Sequence, residues 1–164
     1  MKKIITFIFI FSIILIFSGC NSTVKNSSGS LKVTKDDEKI ILEYLDTKTN
    51  DILAPSGGKM YSSFTVLGTD KNKIYIFMLK EEFMKHDSEM IRNGGVSTPL
   101  VLNVETIDGK MKITSHKFPG EGDKNAKDMK KLFPENIRNE INQLRNNPTV
   151  PLQEDIDNRV KGNK

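Results

Sequence analysis

Ile4 to Phe17 forms a fourteen-residue apolar run, broken only by Thr6 and Ser12 and preceded by Lys2 and Lys3. A spanning helix needs about 20 apolar residues at 1.5 Å each, so the run is short for a permanent anchor. It suits the hydrophobic region of a secretory signal, with the two lysines as its positive start and Ser18 and Gly19 as the small residues after it. The run also takes more than its share of the apolar side chains. Of the first 19 residues 13 are apolar, against 47 of the remaining 145. What is left is a polar chain, about 32% apolar, with enough for one modest core. The whole chain has 25 basic and 21 acidic residues; without the leader the basic count falls to 23, a net charge near +2. Such a chain is not a multidomain enzyme, a polytopic membrane protein, a disulfide scaffold or a strongly basic nucleic-acid binder.

The residue after Gly19 is Cys20, the only cysteine in the chain. The string Phe17-Ser18-Gly19-Cys20 resembles the lipobox of bacterial lipoproteins, which reads apolar, small, small, Cys; Phe17 departs from the usual Leu. The resemblance implies cleavage between Gly19 and Cys20, and a diacylglyceryl group on the Cys20 thiol. It also implies a place on the extracytoplasmic face of the cell membrane. A two-chain anchor at about 0.8 kcal/mol per buried methylene holds stably where one chain is marginal. Lipidation would also account for a lone thiol in an exported chain.

Asn21 to Ser30 is polar and serine-rich and reads as a flexible tether, with a root-mean-square span of about 17–19 Å. Thr34 and Asp37 form the signature of a capping box, with Asp36, Asp37 and Glu38 in the first turn. Ile40, Ile41, Tyr44 and Leu45 share one face of a helix predicted over 35–48. From Met60 the period changes to two, and a turn through Asp70 to Asn72 follows. Ile74 to Leu79 is the most apolar segment after the leader and reads as a central strand. Gly94-Gly95 reads as a break. Pro99–Glu105 and Met111–His116 pair about the turn Ile107-Asp108-Gly109, with Pro99 at a strand start. A short helix through Ala126–Leu132 follows the Gly120–Gly122 loop. Pro134 opens another, carrying Ile137, Ile141 and Leu144 on one face.

The expected organisation is a signal over 1–19, a lipidated tether over 20–33, an α+β domain over 34–145 and a polar tail over 146–164. The domain comprises an N-terminal helix, a roughly four-stranded antiparallel sheet with helices on one face, and C-terminal helices. That order resembles the cystatin-like folds, in which a curved sheet wraps a helix. Gly95-Val96-Ser97-x-Pro99, Pro119-x-Glu121-Gly122 and Asp128 through Pro134 resemble strings in small exported proteins and lipoproteins of Gram-positive bacteria. That likeness implies a shared domain and carries no catalytic residue.

No motif names a reaction. Ser22-x-x-Lys25 and Ser56-x-x-Lys59 have the spacing of a serine–lysine pair, but neither leads an apolar helix and the companion motifs are missing. His86 and His116 are 30 residues apart in sequence. A His86, Asp87 and Glu89 metal site is less expected than a solvated loop. Asp123, Asn125 and Lys127 alternate like a calcium loop, with lysine where an oxygen ligand belongs. Lys124, Lys127 and Lys131 fall on one helical face with Lys130 beside it, diluted by Asp123 and Asp128, and read as a solvated surface. The expectation is a non-catalytic binding or interaction module with no cofactor. Its partners would be the membrane, through Cys20, and a protein or envelope ligand rather than nucleic acid. The alternative is a small envelope hydrolase built on His116 or His86 beside Ser and Asp.

Overall fold

The computed structural model describes residues 31–146 and 150–162. The signal, the Phe17–Cys20 string and the tether up to Ser30 lie outside the described residues. The elements run α1 (Lys35–Lys48), β1 (Lys59–Asp70), β2 (Lys73–His86), β3 (Glu89–Ile107), β4 (Lys110–Lys117), α2 (Lys124–Leu132), α3 (Glu135–Asn146) and α4 (Val150–Lys161). The fold is α+β. One antiparallel four-stranded sheet has the order β1-β2-β3-β4, each strand paired with its sequence neighbour.

Helix α1 begins where its capping box places it. Thr34 Oγ1 accepts from Asp37 N at 3.2 Å, and the Asp37 carboxylate accepts from Thr34 N at 2.9 Å. At the other hairpin signal, Asp108 and Gly109 both take positive φ, 50° and 75°, as a two-residue turn with the native strand twist requires.

Strand β2 organises the rest. Alternate side chains of its buried stretch point to opposite faces. Ile74, Ile76 and Met78 join Ile41 and Leu45 of α1, with Leu100, Leu102, Val104 and Ile113. Tyr75, Phe77, Leu79 and Phe83 join Met129, Ile137, Ile141, Leu152, Ile156 and Val160 of the three C-terminal helices, and Phe133 between α2 and α3. Helices therefore cover both faces of the sheet, not the single face expected. The near-continuous apolar run of β2 has this cause, because both of its faces are dry.

Three further expectations are corrected. Gly94-Gly95 is no break: β3 runs through it, and the irregularity is a bulge at Asn93 between the pairs Glu82↔Gly94 and Phe83↔Arg92. Pro99 lies inside β3 rather than at its start, opposite Phe77. The last β3–β4 pair is Val101↔Lys117, so β4 has already left at Pro99 and no ladder hydrogen bond is asked of it on that side. Finally, the domain does not end at 145. Most of the expected polar tail forms α4, whose Leu152, Ile156 and Val160 recur every fourth residue and are 7%, 0% and 6% exposed.

The sheet has two distinct ends. Thr69 Oγ1 donates to Leu31 O at 2.8 Å, so the chain enters the fold beside the β1–β2 turn. The β3–β4 turn lies at that same end, and the β2–β3 turn and the C-terminus of α1 lie at the opposite one, as the strand registers require.

Candidate functional site

The end away from the chain entry is where β2 changes character. After Leu79 come Lys80, Glu81 and Glu82, all buried, at 0%, 2% and 4% exposure. Burying three consecutive charges costs heavily unless each finds partners. Alternation sends Lys80 and Glu82 to the α1 face and Glu81 to the α4 face.

Lys80 meets the C-terminus of α1. Thr49 ends the helix, its hydroxyl donating to Leu45 O at 2.6 Å. The Lys80 ammonium donates to Thr49 O at 3.1 Å and Thr49 Oγ1 at 2.8 Å. A cation there satisfies orphan carbonyls at the negative end of the helix dipole. Burial pushes the Lys80 pKa down, with Asp46 and Asp51 opposing that by their charge.

Glu82 is held in a cradle of donors. Ser56 N donates at 2.6 Å, Ser56 Oγ at 2.7 Å, Gly58 N at 2.7 Å and Asn93 Nδ2 at 2.8 Å. The bulge in β3 is what turns Asn93 toward this carboxylate. The Asn93 amide and the Ser56 hydroxyl, then the Gly58 amide, hold its pKa down to about 2. Glycine is required at 58, since a Cβ there would lie 2.6 Å from Phe83 O and 2.7 Å from Glu82 Cγ. On the opposite face, Glu81 accepts from Arg92 Nη1 and from Gln153 Nε2 of α4, each at 2.8 Å.

These bonds fix the loop between α1 and β1, and beside it lies a shallow, open depression of about 480 Å³. Its walls are Asp46 and Thr47 of the last turn of α1, Asn50, Pro55, Gly58, and Lys59 and Met60 of β1. Asp46 Oδ2 receives Arg159 Nη2 at 2.5 Å, and Arg159 Nη1 also reaches Ser62 O. One arginine of α4 thereby crosses the β1 edge and joins the two helical layers. Asp46 Oδ1 is buried without a partner, a desolvation cost of about 1–3 kcal/mol. Beside the loop, Met84 and Ile91 face each other across the β2–β3 hairpin and are 37% and 50% exposed. A Cβ at Gly57 would touch Met84 Cε at 3.7 Å, so the apolar pair adjoins the loop that walls the depression.

His116 is brought to partners that its sequence position does not suggest. Its Nδ1 lies 2.9 Å from Tyr44 Oη, and its Nε2 lies 3.0 Å from both Asp51 carboxylate oxygens. Phe118 stacks on the ring at 6.2 Å between centroids. This is a carboxylate–imidazole–hydroxyl chain, with tyrosine in the place of the serine expected of a hydrolase. Burial pushes the Tyr44 pKa up and the Asp51 charge adds to this, so the phenol stays protonated. A poor nucleophile results; the chain of bonds ties α1 to β4 and to the loop after α1.

The other sequence candidates stay apart. Among the described residues His86 pairs only with Asp87, at 3.5 Å on an exposed turn. Among the described residues no three His, Cys, Asp or Glu side chains gather as a metal site. Asn125 donates to Gly120 O and Asp128 accepts from Gly120 N, each at 3.0 Å. The Pro119–Gly122 loop is thereby closed onto α2. Lys124, Lys127, Lys130 and Lys131 are exposed, with Met129 buried behind them. Ser56 is engaged by Glu82 and Asn93. Sequence reasoning missed Tyr44, Asp51, Lys80 and Glu82; the one available signal was a run of three charges followed by Phe83 and Met84, a strand continuing past its polar residues.

No protein-family model, curated protein or solved structure matches the chain.

Proposed function

We propose that the protein is a lipoprotein, anchored through diacylglyceryl-Cys20 on the extracytoplasmic face of the cell membrane, whose domain is a non-catalytic binding module. The anchor reading rests on the Phe17-Ser18-Gly19-Cys20 string and the apolar run before it. Among the described residues no helix is long and apolar enough to cross a membrane, which is neutral between a lipid anchor and none. Replacing Cys20 by Ser, followed by fractionation and metabolic labelling with palmitate, tests the anchor. Loss of label and release from the membrane are expected; unchanged retention refutes it.

The observation that carries the binding reading is the depression walled by Asp46, Pro55, Gly58 and Met60 beside the exposed Met84–Ile91 pair. A shallow, open depression with a small apolar contact area beside it suits contact with the surface of a larger partner more than enclosure of a small substrate. A photo-crosslinking residue at Met60 should give adducts on cells, and Met84→Asp with Ile91→Asp should abolish them. The hydrolase alternative is supported by the Asp51–His116–Tyr44 chain. It prevails if the purified protein turns over wall substrates and His116→Gln stops it.

A further inference from the structure

Among the described residues, three large apolar side chains are exposed: Met84, Ile91 and Ile107. The first two belong to the end away from the chain entry. Ile107 stands alone at the tip of the β3–β4 hairpin, 45% exposed, and directly opposite Lys110. We propose that this tip is a second membrane contact, in which Ile107 enters the lipid interface and lays the domain against the bilayer in one orientation. The inference rests on the lipid-anchor reading of Cys20.

The path of the chain carries the argument. Leu31 is fastened to Thr69, which pairs with Ile74, and Ile74 pairs with Leu102 of β3. Ile107 lies five residues beyond Leu102, on the side of the two turns, about 17 Å away at 3.3 Å per residue. Ile91 lies eleven residues the other way, one of them bulged, or about 33 Å. Ten residues, Asn21 to Ser30, separate the lipidated cysteine from Leu31. Ten residues reach at most about 33–36 Å. The hairpin tip, about 17 Å beyond the row that fastens Leu31, lies well within that reach, whereas the Met84–Ile91 pair, about 33 Å the other way, lies at its limit.

The chemistry of the tip agrees with a lipid surface. Ile107 is flanked by Thr106 and Asp108, with Lys110 and Lys112 on the returning strand and Lys71 on the neighbouring β1–β2 turn, all exposed. Long lysine side chains can lay their stems along the interface and keep their ammonium groups among the headgroups. Glu105 and Asp108 balance Lys110 and Lys112 within the hairpin, so the apolar side chain rather than net charge makes the contact. One isoleucine is weak alone, but the anchor supplies a high effective concentration, so a weak contact is enough to orient the domain. The same orientation turns the depression and the Met84–Ile91 pair away from the membrane.

Acylation blocks the Cys20 thiol, so one cysteine introduced at Thr106, beside the intact Ile107, or at Ile91 can be labelled selectively with an environment-sensitive nitrobenzoxadiazole dye. Each full-length lipidated protein would be reconstituted into phosphatidylcholine vesicles and into phosphatidylglycerol vesicles, both containing a lipid with a nitroxide near the headgroup. The label at 106 should be quenched at least twofold and blue-shifted in both, and the label at 91 in neither; Ile107→Asp should abolish the signal at 106. Equal signals at 106 and 91, quenching at 91 alone, or a signal at 106 unchanged by Ile107→Asp overturn the proposal. If the unaltered protein fails to float with vesicles, the anchor reading falls and this inference with it. If it floats and the 106 label stays bright, only the hairpin contact is refuted.

Discussion

Replacing Ile156 by Ala tests whether α4 belongs to the core. Ile156 is 0% exposed and packs in the cluster that includes Phe77, Phe133 and Ile141. The substitution removes three buried carbons, which at about 0.8 kcal/mol each amounts to about 2.4 kcal/mol of transfer free energy. Partial collapse of the cavity adds roughly 1 kcal/mol, for a total of about 3.5 kcal/mol, inside the usual range for Ile to Ala. For a domain of about 130 residues the unfolding entropy near the midpoint is about 0.27 kcal/mol/K, so Tm should fall by about 13 °C. Urea unfolding followed by circular dichroism reads the same quantity as a lowered midpoint at unchanged m. Ile107→Ala, on the exposed hairpin tip, should stay within about 0.5 kcal/mol of the parent. A loss below about 1 kcal/mol for Ile156→Ala would refute the packing argument and return residues 150–161 to a loose tail.

Three other outcomes follow from the buried charges. Glu82 has its folded pKa below its unfolded value, so it contributes stability above about pH 4.5 that is lost as pH falls toward about 2. In Glu82→Gln, stability measured against pH should lose that part of the acid limb, and Gly58→Ala should disturb the same cradle. Lys80 has its folded pKa lowered, so the unfolded chain holds the extra proton, and its contribution rises with pH up to about 10.5. Tyr44 and Tyr75, both raised by burial, act the other way above pH 10. The difference between parent and Lys80→Met should isolate the rise; a flat difference contradicts it. Arg159→Ala leaves the Asp46 carboxylate and Ser62 O without their cross-edge donor and should cost about 1–3 kcal/mol in chemical denaturation.

Much of the fold was legible in local chemistry. The Thr34–Asp37 capping box, the Ile41–Leu45 spacing, the Ile107-Asp108-Gly109 turn and the Pro134 helix start each depend on residues a few positions apart. Their geometry is set by backbone sterics and neighbouring side chains, whatever the rest of the chain does. The candidate site was legible only in fragments. Glu82 is in the site because a bulge opposite it turns Asn93 inward and a loop 24 residues away in sequence supplies Gly58 N. His116 meets Tyr44 across 72 residues and Asp51 across 65. No periodicity records such pairings, since they arise when packed layers converge.

The sequence by itself determined α1, α2 and α3, the turns at 70–72 and 107–109, the α+β class and the expectation of a lipidated Cys20. These follow from hydrophobic period, capping and turn chemistry, all of them short-range. Only the tertiary structure decided that helices cover both sheet faces, that Leu152, Ile156 and Val160 belong to the core, and that Lys80, Glu81 and Glu82 are buried. A stripe of three apolar residues in a polar segment does not reveal whether a partner surface exists for it. Equally, a charged triplet does not reveal that a helix end, a glycine loop and an arginine will satisfy it. Burial depends on what the other layers supply, and that is fixed only when the chain closes on itself.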